Sequence, residues 1–198
     1  MNTGHLILAV VGYSKDSTIQ GRTLLQKTVY FVSEKIGQKI DFSPHYYGPY
    51  SEVVAQATDS LVAVGLLQEI VEKFPPFDPN ANFDARRFTY KLNKAGIEVL
   101  HELEKGEDKE ELKQVKRLVE EMQQLQLAGM DYKYLSIAAK MHHILKRHNK
   151  KAISAEEISK EAEVLGWVLS QQDIKGVIDF LQKMGLATVV REVKLGSS

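Results

Sequence analysis

"LVAVGLLQEIVEKF", residues 61–74, contains the change of period that decides the fold. Upstream of Gly65 the apolar residues Val54, Ala57, Leu61 and Val64 keep helical spacing. Downstream, Leu66 to Phe74 is a Leu-, Ile- and Val-rich run of strand type. A glycine at such a junction reads as a helix C-cap in the left-handed region, which a residue with a Cβ enters only under strain. A helix that closes on glycine and feeds a strand is the corner of a winged-helix unit. The same corner recurs in "LQKMGLA", residues 181–187, where Leu181, Gly185 and Leu186 repeat the spacing of Leu61, Gly65 and Leu66. "LATVVREV", residues 186–193, then reads as a second strand.

Working outward, Arg86 to Leu92 alternates, with Phe88, Tyr90 and Leu92 on one face and Arg87, Thr89 and Lys91 on the other. The connection "PPFDPNANFDA", residues 75–85, has the proline and asparagine content of a surface loop. Asn93 caps a helix carrying Ile97, Leu100 and Leu103. Before the corner, residues 5–14 form a short apolar helix, and Leu25, Val29, Val32 and Ile36 line one face of another that Gly37 closes. Residues 39–46 read as extended, and a further helix follows Gly48-Pro49. The order helix, helix, ribbon, helix predicts a winged-helix-like domain over 1–105.

Residues 106–126, "GEDKEELKQVKRLVEEMQQLQ", are highly charged, with Leu112, Val115, Val119 and Met122 in a row. The row is too short for a coiled coil and predicts a linking helix packed on its own protein rather than a dimer seam. A second winged-helix-like domain is expected over 127–195. Its helix Tyr134–His148 is followed by the capping box Ser154-Ala-Glu-Glu157, by the breaker Gly166, and by a helix that Ser170 caps. The expected class is mainly α with small β-hairpins (α+β): two winged-helix-like units joined by a charged helix.

Composition narrows the function. The chain is 43% apolar and 26% charged, with 26 basic residues against 26 acidic ones. Zero net charge disfavours a general nucleic-acid binder but leaves room for a local basic face. The absence of cysteine removes disulfides, thiolate catalysis and cysteine-type zinc sites, and fits a cytoplasmic protein. Leu6–Val11, the longest apolar run near the start, falls far short of the ~20 residues a membrane span needs. With no basic segment before it and no cleavage site after it, neither a signal peptide nor a membrane partner is expected.

"FSPHYYGPYSEVV", residues 42–54, gathers aromatics, prolines and a glycine before an apolar helix. Pro49, lacking an N–H, suits a helix's first turn. Tyr46, Tyr47 and Tyr50 are expected to wrap that helix start and cover its base. The alternative is that His45, Tyr46, Tyr47 and Tyr50 form a face for a protein partner, since aromatic anchors are enriched at interfaces.

"GRTLLQKTVYFVSEKIG" (21–37), "FSPHYYGPYSEVV" (42–54) and "LVAVGLL" (61–67) together resemble the YwgA-like group of small prokaryotic proteins. More distantly, the first half is similar to the Panacea (SocA-like) antitoxin domain, in which a Leu-Gln-Lys helix precedes an aromatic–Gly-Pro turn. The matching positions are Leu25, Gln26, Lys27, Tyr30, Tyr47, Gly48, Pro49 and Ser51. The chain has Tyr46 or Tyr47 where the Panacea pattern has a Trp near the turn. The YwgA-like resemblance implies no activity; the Panacea resemblance implies neutralising a toxin by direct contact.

No motif for catalysis stands out. The six histidines, His5, His45, His101, His142, His143 and His148, lack metal-ligand spacing. His142 and His143 diverge by about 100° on a helix and read as part of a solvated, partly basic face. There is no Gly-x-Ser-x-Gly elbow, phosphate loop or dinucleotide fingerprint, so neither an enzyme nor a cofactor is expected.

For nucleic acid, "KMHHILKRHNKK", residues 140–151, concentrates Lys140, Lys146, Arg147, Lys150 and Lys151 as phosphate contacts. Gln171, Gln172 and Lys175 open the helix that would read bases, and Arg86 and Arg87 enter the first wing. Against this, the helix over 51–65 carries Glu52 and Asp59 and no cation. The expectation is a DNA-binding regulator of transcription, with a protein-interaction module as alternative, and with monomer and homodimer both left open.

Overall fold

Leu6–Val11 is buried on every side, and a helix apolar all round belongs in a core. It lies within α1 (Thr3–Gly12), which Asn2 caps by accepting from the His5 N–H at 2.8 Å. The computed structural model describes residues 1–74, 85–127, 131–149 and 154–187. The chain forms two units, Met1–Phe42 with Ser51–Met130, and Ser43–Tyr50 with Asp131–Ser198. The described residues are mainly helical with one small antiparallel sheet.

In the first unit, α1 is followed by β1 (Thr18–Gln20), α2 (Arg22–Ile36), α3 (Glu52–Ala63), β2 (Leu67–Phe74), β3 (Ala85–Leu92), α4 (Lys94–Leu103) and α5 (Lys109–Leu127). The strand order is β1-β3-β2, with Leu67 opposite Leu92 and Ile19 opposite Tyr90. That is the arrangement of a winged-helix unit, whose first strand, β1, is too short to be read from the sequence. The sheet is locked at the start of α2. Arg22 stacks 3.7 Å from the Phe88 ring centroid, donates to the Tyr90 hydroxyl at 3.0 Å and pairs with Glu69 at 3.2 Å. Tyr90 donates to the same Glu69 at 2.7 Å. Burial, followed by that acceptor, raises the phenol well above the ordinary range.

The Gly65 corner has the expected geometry. Gly65 sits at φ +72°, and the Leu66 N–H reaches back to Leu61 O at 2.9 Å, the long bond of a Schellman close. The Asn93 amide donates to Gly65 O, while its side-chain oxygen caps α4 through the Gly96 N–H at 2.9 Å.

One expectation is corrected here. The cap of α3 is Ser51, whose hydroxyl accepts from the Val54 N–H, so Pro49 precedes the helix instead of occupying its first turn. Buried Gln26 fixes that start from α2: it accepts from the Ser51 N–H at 3.1 Å and donates to Ser51 O at 3.0 Å. The charged helix expected over 106–126 is α5, and it belongs to the first unit, packing on α1 and α2. Its row Leu112, Val115, Val119 and Met122 is buried there, joined by Leu118.

The second unit contains α6 (Tyr132–Arg147), α7 (Ala155–Val164) and α8 (Gln171–Lys183). Leu135, Ala138, Met141 and Ile144 of α6 bury against Ile158 and Ala162 of α7 and Val177, Phe180 and Leu181 of α8. The Ser154–Glu157 capping box opens α7 as expected, and a second box, Ser170 with Asp173, opens α8. The Gly185 corner repeats that at Gly65: φ is +66°, and the Leu186 N–H reaches Leu181 O at 2.7 Å. The strand expected after it lies outside the described residues.

Candidate partner-binding cleft

Residues 43–50 fold as a small ribbon within the second unit. Ser43 and Tyr50 exchange backbone hydrogen bonds of 2.8 and 2.9 Å, and the Gly48 N–H closes the turn onto His45 O at 2.8 Å. Gly48 takes φ +93°, which turns the chain sharply. Gly48 and Pro49 are buried, and the tyrosines at the tip are not. Tyr46 and Tyr47 are 74% and 49% exposed, their rings edge to face at 4.8 Å. Tyr50 is half-buried, its ring 5.2 Å from that of His45. The expected covering of the α3 base by Tyr46 and Tyr47 is therefore corrected: their side chains face solvent.

Those two tyrosines form one wall of a cleft of about 290 Å³ within the second unit. Tyr132, Lys133, Ser136, Ile137 and Lys140 of α6 form the other. The floor is Trp167, set by the close of α7: Gly166 adopts φ +71°, and the Trp167 N–H returns to Ala162 O at 2.8 Å. The indole is 2% exposed, and its N–H donates to His45 O at 2.7 Å. A buried indole usually finds such a partner, and here it ties α7's turn to the tyrosine ribbon. The His143 ring meets the indole edge-on at 5.8 Å. Beside the floor, Val168 is 89% exposed and Tyr132 45%.

The charge in the cleft is positive. Lys140 is half-buried, with Nζ 5.7 Å from the Trp167 ring centroid. Desolvation holds its amine below the usual lysine range, and Asp173 offsets part of that. The Asp173 carboxylate is already accepting from the Ser170 N–H at 2.9 Å and hydroxyl at 2.7 Å. Lys133 is exposed.

The residues expected at a DNA surface belong to both units. Arg86 and Arg87 are exposed on β3, where Arg87 lies 3.8 Å from Glu72. Lys146 and Arg147 are exposed at the end of α6. Lys150 and Lys151 lie outside the described residues. Gln171, Gln172 and Lys175 are exposed along the start of α8. Lys140, expected among the phosphate contacts, also lines the tyrosine cleft. His142 is buried at 6% exposure, which corrects its reading as solvated. Among the described residues no group of His, Asp and Glu is placed to hold a metal, and no helix is long and apolar enough to cross a membrane.

Sequence reasoning missed Trp167, Tyr132, Lys133 and Val168. One signal pointed to them: the single tryptophan of the chain directly follows the helix-closing Gly166. Although distant in sequence, Trp167 reaches the 42–54 turn through space.

No family model matches the chain. Over 64 residues, 31% of this chain, it is 38% identical to the uncharacterized protein YwgA of Bacillus subtilis (strain 168). The match spans 37% of that protein, so the chain covers little more than a third of this relative's length. Over that stretch the chain is similar to YwgA, a relationship of the kind its N-terminal motifs indicate.

Proposed function

We propose that the chain is a non-enzymatic protein-binding module whose contact surface is the tyrosine cleft of the second unit. One observation carries this reading. Tyr46, Tyr47, Tyr132 and Val168 are all exposed, and they converge on a buried Trp167. Exposed aromatics grouped around a pocket mark interaction sites, because rigid rings supply contact area at low entropy cost. The first half's resemblance to the Panacea antitoxin pattern, carried by residues from Leu25 to Ser51, agrees, since that pattern implies neutralisation by direct contact. The Tyr47-Gly48-Pro49 turn is the element that presents the cleft's outer wall.

The test is to pan the full-length protein against a displayed random-peptide library. Enrichment of peptides that no longer bind Tyr46→Ser or Tyr47→Ser, with unchanged circular dichroism, supports the reading. No enrichment, or peptides indifferent to both substitutions, refutes it.

A second reading, a DNA-binding regulator, is favoured by α8. This third helix of its unit begins with exposed Gln171, Gln172 and Lys175, the positions from which a recognition helix reads base edges. The face of α3, with exposed Glu52 and Asp59, suits DNA poorly. A gel-shift titration on mixed duplexes decides it. Micromolar binding at about 50 mM salt that weakens steeply with added salt supports this reading, and no shift removes it.

A further inference from the structure

We infer that the segment bound in the tyrosine cleft is acidic: a short stretch of a partner protein that seats an apolar side chain over Trp167 and places carboxylates against Lys140 and Lys133. This rests on the protein-binding reading and adds the chemistry of the occupant. The argument is charge complementarity. Of the described side chains lining the cleft, only Lys133 and Lys140 are charged. Two nearby carboxylates, Asp173 and Asp131, are held as helix caps, and Asp173 offsets only part of the desolvation of Lys140. Asp173 caps α8 through Ser170, and Asp131 caps α6 through the N–H groups of Lys133 and Tyr134 at 2.9 and 3.0 Å. The cleft therefore shows a partner two ammonium groups beside an aromatic floor.

Lys140 is the more telling of the two. Its ammonium lies 5.7 Å from the indole ring centroid and is partly removed from water, where a carboxylate arriving from a partner gains more than it would on an open surface. Lys133 and Lys140 are seven residues apart on α6, so they share one face of the helix about two turns, or about 10 Å, apart. An extended segment advances about 3.3 Å per residue and turns every second side chain to the same face, so carboxylates four residues apart, about 13 Å, face both flexible lysines, with the apolar residue midway between them entering the cleft.

The experiment sequences the peptides that full-length protein enriches from a random library, then repeats the panning on Lys133→Glu, Lys140→Glu and the double variant. The expected result is a peptide set rich in Asp and Glu around one apolar or aromatic position. Affinity should fall about tenfold for each reversal, as for a partly desolvated ion pair, and the double variant should enrich basic peptides. Lys133→Glu alters an exposed residue, so it keeps the test valid if Lys140→Glu impairs folding. Peptides that need Tyr47 but show no acidic bias, or whose binding ignores the lysine reversals, overturn the acidic occupant and leave the protein-binding reading standing. Failure to enrich any Tyr47-dependent peptide overturns both.

Discussion

Lys140 holds a charge where the fold disfavours it. Burial is the dominant influence and lowers its pKa, so the unfolded chain binds that proton more tightly than the folded one. The sign follows: the cost is fully present below the depressed folded value, shrinks as pH rises toward the ordinary 10.5, and is gone above it. Lys140→Met keeps the stem and removes the charge. Its thermal midpoint at neutral pH should therefore equal or exceed that of the parent, and the advantage should disappear at about pH 11. Melting curves at the two pH values check this; a clear loss of stability at neutral pH would show that Lys140 serves the fold and not a partner. Tyr46 and Tyr47 show what a local reading reaches. Their aromatic character is plain in "HYYGPY", but which way they face depends on Trp167, whose indole bonds His45 from 122 positions away. No periodicity carries that pairing.

Helices and their closing turns were the most legible features, because each is coded within a few residues. The corners at Gly65 and Gly185 share the left-handed φ and the same five-residue backbone return, which spacing alone indicated. The capping box at Ser154 was equally local. What stayed hidden were partners. The apolar row of α5 was visible, whereas its burial against α1 and α2 was not; β1, three residues long, had too little pattern to register. Two glycines separate conformational need from close packing. A Cβ at Gly65 meets nothing within 4 Å, so Gly65→Ala pays only the left-handed backbone penalty, about 1–2 kcal/mol. A Cβ at Gly96 would stand 2.3 Å from Leu66 O, where α4 abuts the corner, and backbone must move. Urea denaturation should show Gly96→Ala losing more than Gly65→Ala, by about 1 kcal/mol or more. The reverse order would place the close approach elsewhere.

Each unit offers a different surface. The first has the helix order and strand order of a winged helix, but its exposed α3 face carries Glu52 and Asp59, so the fold's usual way of meeting DNA is not supported by charge there. The second draws residues 43–50 from a distant part of the chain and uses them to wall its cleft. The domain division expected from sequence, cut at 105 and 126, followed chain order and had no means to assign that short ribbon to the later helices. Because Trp167 is the chain's single tryptophan and forms the cleft floor, its emission reports occupancy directly. The decisive measurement is a fluorescence titration of full-length protein with a tryptophan-free peptide taken from the panning. We expect a saturable change in Trp167 emission, with a dissociation constant in the micromolar range of about 1–100 μM, absent in Tyr47→Ser. Binding that leaves Trp167 emission unchanged, or that persists undiminished in Tyr47→Ser, would contradict the assignment of the cleft as the contact surface.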